Sequence, residues 1–334
     1  MSLNILYLIN RTTYLTKMSQ VRIHNIKAIG KLANVSWWGI GWDEYDSAKS
    51  VQENITNKYK DLHFDVVVVY KPLELIDFSK IEYTKCITYN EMYDFPATLK
   101  EIEESMVDLV ICHHENDMPV YEEYYKSYHG QKNKYVRFVH IPHSAEESIF
   151  KDYNVEKVYD VLVTGRLNCK NTVGESHYPL RDRMSKLIEK MPPKYTCAVH
   201  KHPKSVNLDS HTDKYLIEFA RAINSAKICV SCSGLPKSRF GKYIEIPMCN
   251  SVHCADIPEQ DEEDFNKMLI VINMNMSDDE IITKLVYYLE HNDELEKIKK
   301  IGYEWSKNYT QQKYAERFID AVCDFKNNNL KHRY

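Results

Sequence analysis

Short runs of β-branched and other apolar residues recur along the chain and are separated by longer amphipathic segments. The runs are 4–9, 35–38, 64–70, 84–89, 108–113 and 136–141 in the first half, and 159–165, 194–199, 227–232, 252–256 and 269–273 in the second. A strand that is apolar on both faces must be buried on both faces, as in a parallel sheet covered by helices. The pattern therefore predicts an α/β protein with two such sheets.

The length of the chain favours two domains. Its 334 residues suit two domains of about 150 residues each. The polar stretch 146–158 is the predicted linker between an N-terminal Rossmann-like domain at 1–145 and a C-terminal Rossmann-like domain at 159–310. Two doubly wound domains facing each other would bring the carboxyl ends of both sheets to one cleft, where ligands bind to such sheets.

Charge and composition narrow the class of partner. The 44 basic and 48 acidic residues give a formal net charge of −4, so no general field attracts nucleic acid, and no nucleic-acid partner is expected. The apolar run at the start is far shorter than the roughly 20 residues of a membrane span, and no leader pattern follows it. Nine scattered cysteines are typical of reduced thiols, which predicts a cytoplasmic location.

The motifs of several cofactors are missing. The chain has nine glycines and contains neither G-x-G-x-x-G nor G-x-x-x-x-G-K-[ST], which argues against nicotinamide, flavin and P-loop chemistry. No D-x-D motif lies near the predicted site, so no cofactor and no metal are expected. The spacing of Cys229, Cys232, Cys249 and Cys254 would permit zinc, but a buried reduced thiol is the more usual state of a cysteine in a core strand.

The segment KSRFGKYIE, residues 237–245, concentrates three cations before one acid. If a helix starts at about residue 238, Lys237 and Arg239 lie at its N-terminus, where the helix dipole and unpaired N–H groups stabilise an anion. One turn after Lys242, the carboxylate of Glu245 can accept hydrogen bonds from the two hydroxyls of a ribose. The segment therefore predicts a sugar-nucleotide site.

A second segment supports that prediction, and an alternative interpretation of residues 237–245 remains open. Gly165 and Arg166 directly follow the first strand of the second domain, where an arginine can bind phosphate with two parallel hydrogen bonds. The alternative is a solvated basic turn in which Lys242 simply pairs with Glu245. At the end of the helix, Asn250 can take the left-handed conformation that usually requires glycine.

The layout resembles that of a GT-B glycosyltransferase, and residues 237–259 resemble the C-terminal domain of the spore-maturation-protein-like group (glycosyl transferases group 1). Supporting segments follow in the expected order: IPHSAEESIF, YDVLVTGR, HKHP, AKICVSCSG and GYEWSKNYTQQKYAERFID. The resemblance covers about residues 140–325, and over 1–140 it rests on architecture alone. It implies a metal-independent hexosyl- or pentosyltransferase that moves a sugar from a nucleotide diphosphate to a glycan, protein or other hydroxyl acceptor. The domain at 1–145 would bind the acceptor, and the domain at 159–310 would bind the nucleotide sugar.

The resemblance also implies roles for individual residues. The donor-binding residues would be Gly165, Arg166, His202, Ser231, Ser233, Lys237, Arg239, Lys242 and Glu245. Among them the cations would hold the diphosphate and Glu245 the ribose, and a final helix at 311–327 would cross back onto the first domain. Two positions depart from the family pattern, because many retaining members have a glutamate where Lys237 stands, and a glycine is common where Asn250 stands.

The catalytic residue is expected in the first domain. An inverting enzyme needs a carboxylate or imidazole within hydrogen-bond reach of the acceptor hydroxyl, whereas a retaining enzyme lacks that simple base. HHEND, with His114 and Glu115, is the first choice, and NEMYD, with Glu91, is the second. Each is also compatible with a structural role at a strand end. The tryptophan-rich segment 37–46 would either stack on an acceptor sugar or bury a strand end.

Two other functions fit the same framework. A sugar-nucleotide epimerase or hydrolase would use water and turn over the donor alone. A non-catalytic sugar-nucleotide-binding subunit would bind the donor through Arg166 and Glu245 without turnover.

Overall fold

The computed structural model describes residues 2–16, 20–70, 77–92, 94–127, 136–171, 173–200, 213–260 and 262–331. These residues divide into two compact units. The first comprises the described residues of Met1–Pro142 and Gln311–Tyr334, and the second comprises those of His143–Val206 and Thr212–Thr310.

Each unit is built on one parallel sheet. The strands of the first sheet are β1 (Asn4–Leu8), β2 (Asn34–Trp38), β3 (Val66–Tyr70), β4 (Lys85–Tyr89), β5 (Leu109–Cys112) and β6 (Arg137–His140), in the order β2-β1-β3-β4-β5-β6. Those of the second are β7 (Tyr159–Val163), β8 (Cys197–Val199), β9 (Ala226–Val230), β10 (Val252–Ala255) and β11 (Leu269–Val271), in the order β11-β10-β9-β7-β8. The predicted fold class of two doubly wound α/β domains is confirmed.

Helices connect most of the strands. They are α1 (Arg11–Thr16), α2 (Gln20–Ile29), α3 (Val51–Lys58), α4 (Phe95–Ser105), α5 (Pro119–Lys126), α6 (Pro179–Leu187), α7 (Lys214–Asn224), α8 (Lys242–Met248), α9 (Glu262–Met268), α10 (Asp278–Glu290), α11 (Asn292–Ser306) and α12 (Gln311–Lys331). Several starts follow from local chemistry. Ser277, for example, accepts a hydrogen bond from the Glu280 backbone, and the Glu280 side chain accepts one from the Ser277 backbone, a capping box that begins α10.

Helices on both faces bury each sheet. In the first unit, Phe318 of α12 belongs to the same buried cluster as Tyr7 of β1, and Ile102 of α4 packs with Val110 on the opposite face. The four valines of β3 are at most 1% exposed, as a strand without a polar face requires. In the second unit, α6 and α10 cover one face of the sheet, and α7 and α8 contribute to the other.

The strand order of the second sheet shows where the direction of strand addition reverses. In the second unit the chain goes from β7 outward to β8 and then returns to β9 on the other side of β7. The switch point therefore lies between the carboxyl ends of β7 and β9, and such a point is the usual ligand position in a doubly wound sheet.

The helices differ from the sequence-based expectation in one respect. Helix α8 begins at Lys242 rather than at about residue 238. Helices α5 and α9 leave no helical period in the sequence, because they are about two turns long and bury only Tyr121, or Phe265 and Met268, respectively.

None of the helices in the described ranges combines the length and the apolar character that a membrane crossing needs.

Candidate functional site

The turn after β7 is built around a buried arginine. Gly165 has a φ of +99°, in the region that favours glycine. A Cβ at this position would lie 2.7 Å from Nη1 of Arg181, so no larger residue fits without displacing that guanidinium. Nη1 of Arg181 donates a hydrogen bond to the carbonyl oxygen of Arg166 at 3.2 Å. The Arg166 side chain itself is exposed.

Arg181 has no anionic partner within the chain as described. It is in the first turn of α6, is 4% exposed, and its guanidinium carbon lies 4.2 Å from the centre of the Tyr178 ring. Among the described residues its Nε atom has no hydrogen-bond partner, and no carboxylate forms an ion pair with it. A buried charge without a partner costs several kcal/mol. This position at the switch point is therefore suited to an anion.

The positive charge of Arg181 affects its neighbours. Burial lowers the pKa of His253 to about 3, and the charges of Arg181 and Lys242 contribute in the same direction. Burial and Arg181 also lower the pKa of His177. These imidazoles are consequently neutral near pH 7, and the charge of Arg181 contributes to that at both of them.

The two serines after β9 are structural anchors in this structure. Ser231 is fully buried, and its Oγ lies 2.6 Å from Nε2 of His253 on β10. Ser233 is also fully buried, and it donates from its Oγ and its backbone N–H to the two carboxylate oxygens of Asp256, at 2.6 Å and 2.8 Å. The serines thus fasten the loop after β9 to the end of β10.

Lys237 and Arg239 are in the loop before α8, so the expected position at a helix N-terminus is wrong. Lys237 has a φ of +51°, a left-handed conformation that cannot start a helix, and its carbonyl accepts a hydrogen bond from the Glu259 backbone. Its Nζ lies 2.9 Å from Oδ2 of Asp256. Arg239 is 2% exposed and donates to the Tyr309 hydroxyl at 3.2 Å.

Lys242 and Glu245 form the ion pair that was the alternative interpretation of this segment. Nζ of Lys242 lies 2.5 Å from Oε2 of Glu245, and the Glu245 side chain is 8% exposed. Lys242 also lies 4.2 Å from the centre of the Phe219 ring. The pair is partly buried, so it differs from the solvated pair of that interpretation: its charges attract each other more strongly but have also lost part of their hydration. After α8, Asn250 has a φ of +55°, which confirms the predicted left-handed end.

In the first unit, the loops after β4 and β5 meet. Oδ2 of Asp117 accepts a hydrogen bond from the Met92 backbone at 2.6 Å, and burial raises the pKa of this carboxyl. His114 is 1% exposed, with Nδ1 3.8 Å from the same oxygen. Glu91, in the loop after β4, is half-buried, whereas Glu115 is exposed. The three predicted catalytic side chains thus occupy neighbouring loops but differ in access to solvent.

His140, the last residue of β6, lies next to Glu115. Its Nδ1 lies 3.7 Å from Oε2 of Glu115, and its Nε2 lies 3.3 Å from the carbonyl oxygen of His113. His113 itself donates from Nδ1 to the Ile141 carbonyl at 2.8 Å, and burial lowers its pKa to about 4.

Sequence reasoning missed Arg181, Asp256 and His140. Arg181 could have been found, because it is spaced at a helical period from the buried residues Met184 and Ile188 and so falls on the apolar stripe of that segment. His202 lies outside the described residues. Across the parts of the chain that the structure describes, no group of three or more His, Cys, Asp or Glu side chains could hold a metal ion.

The structure is similar to solved structures of several glycosyltransferases. A glycosyltransferase from Rickettsia africae ESF-5 aligns with a TM-score of 0.65 at 13% identity, over 97% of this chain and 98% of that chain. Anabaena Alr3699/HepE in complex with UDP and glucose aligns with a TM-score of 0.62 at 9% identity, over 96% and 100%. Sucrose-phosphate synthase from Thermosynechococcus elongatus aligns with a TM-score of 0.57 at 10% identity, over 96% and 98%.

The sequence matches no family model and no curated protein. Membership of the spore-maturation-protein-like group therefore stays a prediction. What the structural alignments establish is the architecture: the chain has the two-domain, Rossmann-like GT-B fold of these glycosyltransferase structures.

Proposed function

We propose that the chain is a glycosyltransferase whose donor is a nucleoside diphosphate sugar, with the diphosphate bound at Arg181. The observation that carries the proposal is the buried guanidinium of Arg181 beside Gly165, at the switch point of the second sheet, which has no ion-pair partner among the described residues. A diphosphate would neutralise this charge, and as the leaving group it gains charge in the transition state, where a fixed cation stabilises it most. The HepE structure contains UDP, which makes UDP the first donor nucleotide to test.

Other cations would assist Arg181. Arg166 is exposed next to the turn, and the Lys237 side chain is 46% exposed while Asp256 holds its ammonium. We assign Arg239 a structural role, because it is buried beside Tyr309 and Trp305, 4.7 Å and 5.8 Å from their ring centres. Because side-chain cations supply the neutralising charge, the proposed reaction needs no metal ion.

Glu245 would bind the donor ribose by exchanging its partner. In the structure its carboxylate is occupied by Lys242. Ribose hydroxyls can replace that ammonium as hydrogen-bond donors, which would release Lys242 toward the phosphates. The ion pair therefore serves to hold both side chains in place before the donor arrives.

The finer parts of the proposal follow the sequence resemblance. They are a hexosyl or pentosyl donor, a glycan, protein or other hydroxyl acceptor, membership of the spore-maturation-protein-like group, and a cytoplasmic location. The alternatives are an epimerase or hydrolase, which would turn over the sugar nucleotide without an acceptor, and a non-catalytic binding subunit, which would bind the nucleotide without any turnover.

The donor site is tested by thermal unfolding with UDP, GDP, CDP and ADP. A ligand present at about 100 times its Kd stabilises the folded state by about 2.7 kcal/mol, so a specific nucleotide raises the unfolding midpoint. Arg181→Met should abolish that shift. Arg183→Met is the matched control, because Arg183 lies on the same helix but its guanidinium is satisfied by Asp278 at 2.7 Å.

Two results would contradict the donor site. The first is a midpoint that no nucleotide moves at millimolar concentration. The second is a nucleotide shift of the same size in Arg181→Met and in the unmodified protein.

A further inference from the structure

An aromatic ring lies against the cation of the proposed diphosphate site. Tyr178 is the residue immediately before α6, and the guanidinium carbon of Arg181 lies over its ring, 4.2 Å from the centre. Contacts of this kind within about 6 Å are attractive, because the face of an aromatic ring carries negative charge density. The hydrogen-bond donors of a guanidinium lie in its own plane, so a ring that packs over the carbon uses none of them.

The N–H groups of Arg181 are only partly used by the protein. Nη1 donates to the carbonyl oxygen of Arg166 at 3.2 Å, whereas Nε has no hydrogen-bond partner among the described residues. Nε–H and one N–H of Nη2 point in the same direction along one edge of a guanidinium, and this edge can bind two phosphate oxygens with parallel hydrogen bonds. The protein therefore uses Nη1 and leaves the Nε edge for a ligand.

The ring of Tyr178 is held by the loop after β9. It lies 5.9 Å from the ring of Phe240 at an angle of 76°, an edge-to-face contact. Gly234 has a φ of +69°, and a Cβ at this position would lie 3.2 Å from Cδ1 of Tyr178 and 3.2 Å from Cε2 of Phe240. The backbone of Leu235 donates a hydrogen bond to the carbonyl oxygen of His177 at 3.0 Å. These contacts fix the ring between the two loops that flank the switch point.

The guanidinium also touches the turn after β7. A Cβ on Gly165 would lie 2.7 Å from Nη1 and 2.9 Å from Cζ of Arg181, so the backbone and the guanidinium are in close contact. An arginine side chain has many rotamers, and a ligand that had to order it would lose affinity. Because the ring and the turn restrict the guanidinium in the folded protein, little of that ordering is left for the binding step.

We propose that Tyr178 is the positioning residue of the diphosphate site, and that its ring holds the guanidinium of Arg181 with the Nε edge toward the phosphates of the sugar nucleotide. This rests on the proposed function. The ring acts on the ligand through Arg181 alone. Removing the cation–π contact, and the order that it imposes on the guanidinium, should therefore weaken nucleotide binding about 10-fold.

The test is calorimetric titration, well below the unfolding midpoint, with UDP or with whichever nucleoside diphosphate shifts that midpoint. Tyr178→Leu removes the ring, so the Kd should rise about 10-fold. Tyr178→Phe keeps the ring and should bind the nucleotide as the unmodified protein does. Tyr178→Met removes the ring with a different side chain and takes the place of Tyr178→Leu if that variant does not fold.

Two further variants separate positioning from a general effect on the second unit. Tyr195→Leu is the matched control, because Tyr195 precedes β8 at the opposite edge of the sheet and its ring also carries a cation, the Lys194 ammonium at 4.9 Å. It should leave the Kd unchanged. In Arg181→Lys there is no guanidinium edge to orient, so adding Tyr178→Leu to that variant should raise the Kd by less than about 3-fold.

The outcomes separate Tyr178 from the donor site. The assignment would be overturned by a Kd that Tyr178→Leu leaves unchanged, by an equal loss of affinity in Tyr178→Phe or Tyr195→Leu, or by an undiminished loss in the Arg181→Lys background. In each of these cases the loss of binding in Arg181→Met would leave the donor site intact. If the unmodified protein bound no nucleotide, the proposed function itself would be removed, and this assignment with it.

Discussion

Gly165 and Arg181 lie so close that a methyl group on residue 165 would meet the guanidinium at 2.7 Å. The contact joins the end of β7 to the first turn of α6, and both residues border the switch point of the second sheet. It has a direct consequence for substitutions at residue 165.

Gly165→Ala should weaken nucleotide binding and lower stability together. The new Cβ must displace Arg181, and a φ of +99° is itself strained for alanine, at a cost of about 1–3 kcal/mol. Gly174→Ala is the matched control, because Gly174 has a φ of +86° but no atom within 4 Å of its Cβ position. Thermal unfolding with and without nucleotide checks this. Equal behaviour of the two variants would show that the Arg181 contact is unimportant.

Arg181→Met should unfold at the same temperature as the unmodified protein, or at a higher one, when no nucleotide is present. Replacing an unpaired buried charge by an apolar side chain of similar length removes a desolvation cost. Arg183→Met should change the midpoint in the opposite direction, since it breaks the ion pair with Asp278. A large loss of stability in Arg181→Met would mean that the chain itself satisfies the guanidinium.

Glu245→Ala should reduce discrimination between UDP and 2′-deoxy-UDP. If the carboxylate accepts hydrogen bonds from the ribose, the unmodified protein should prefer UDP by about 1.5–3 kcal/mol, the value of a hydrogen bond to a charged group. The preference should largely disappear in the variant. Lys242→Met should retain it, although its affinity for both nucleotides should fall. Calorimetric titration of the three proteins with each of the two nucleotides gives all three preferences.

Acid should destabilise the second unit through His253. Its pKa is about 3 in the folded state against an ordinary value of 6.5, because burial and the nearby cations oppose protonation. Above about pH 6.5 both states are neutral and the effect is absent. As the pH falls below 6.5, the unfolded chain binds the proton first, which favours unfolding by roughly 2 kcal/mol at pH 5.

His253→Gln removes this acid sensitivity and so provides the check. The difference in unfolding free energy between the variant and the unmodified protein should shrink from pH 7 to pH 5, as followed by urea denaturation. If the difference stays constant over that range, His253 does not titrate as described.

The strands were predictable because burial on both faces leaves a local mark in the sequence. All four valines at 66–69 are buried, and the run that contains them was already visible as a strand. The carboxyl ends of the strands follow from the same pattern to within two residues, whereas the switch points also depend on the strand order, which the pattern does not give. This is why the fold class and the position of Gly165 could be predicted without the structure.

The partners of the site residues could not be predicted in the same way. Lys237 meets Asp256 across two neighbouring strand ends, and His140 meets Glu115 across β5 and β6. Such contacts depend on strand register and loop conformation, which cannot be inferred from the spacing of apolar residues along the sequence. The start of α8 was predicted too early for a related reason. Lys237 is left-handed and its carbonyl accepts a hydrogen bond from the backbone of Glu259, which is distant in sequence, so the helix cannot begin there.

The charge of Arg181, which has no ion-pair partner among the described residues, also bears on how long the protein survives in a cell. A protein that carries such a buried cation until its ligand arrives is least stable when that ligand is scarce, and proteases degrade chains in proportion to the fraction unfolded. Under the proposed function, we expect the lifetime of this protein to rise and fall with the supply of the sugar nucleotide, so that scarcity of the donor would lower the amount of the protein as well.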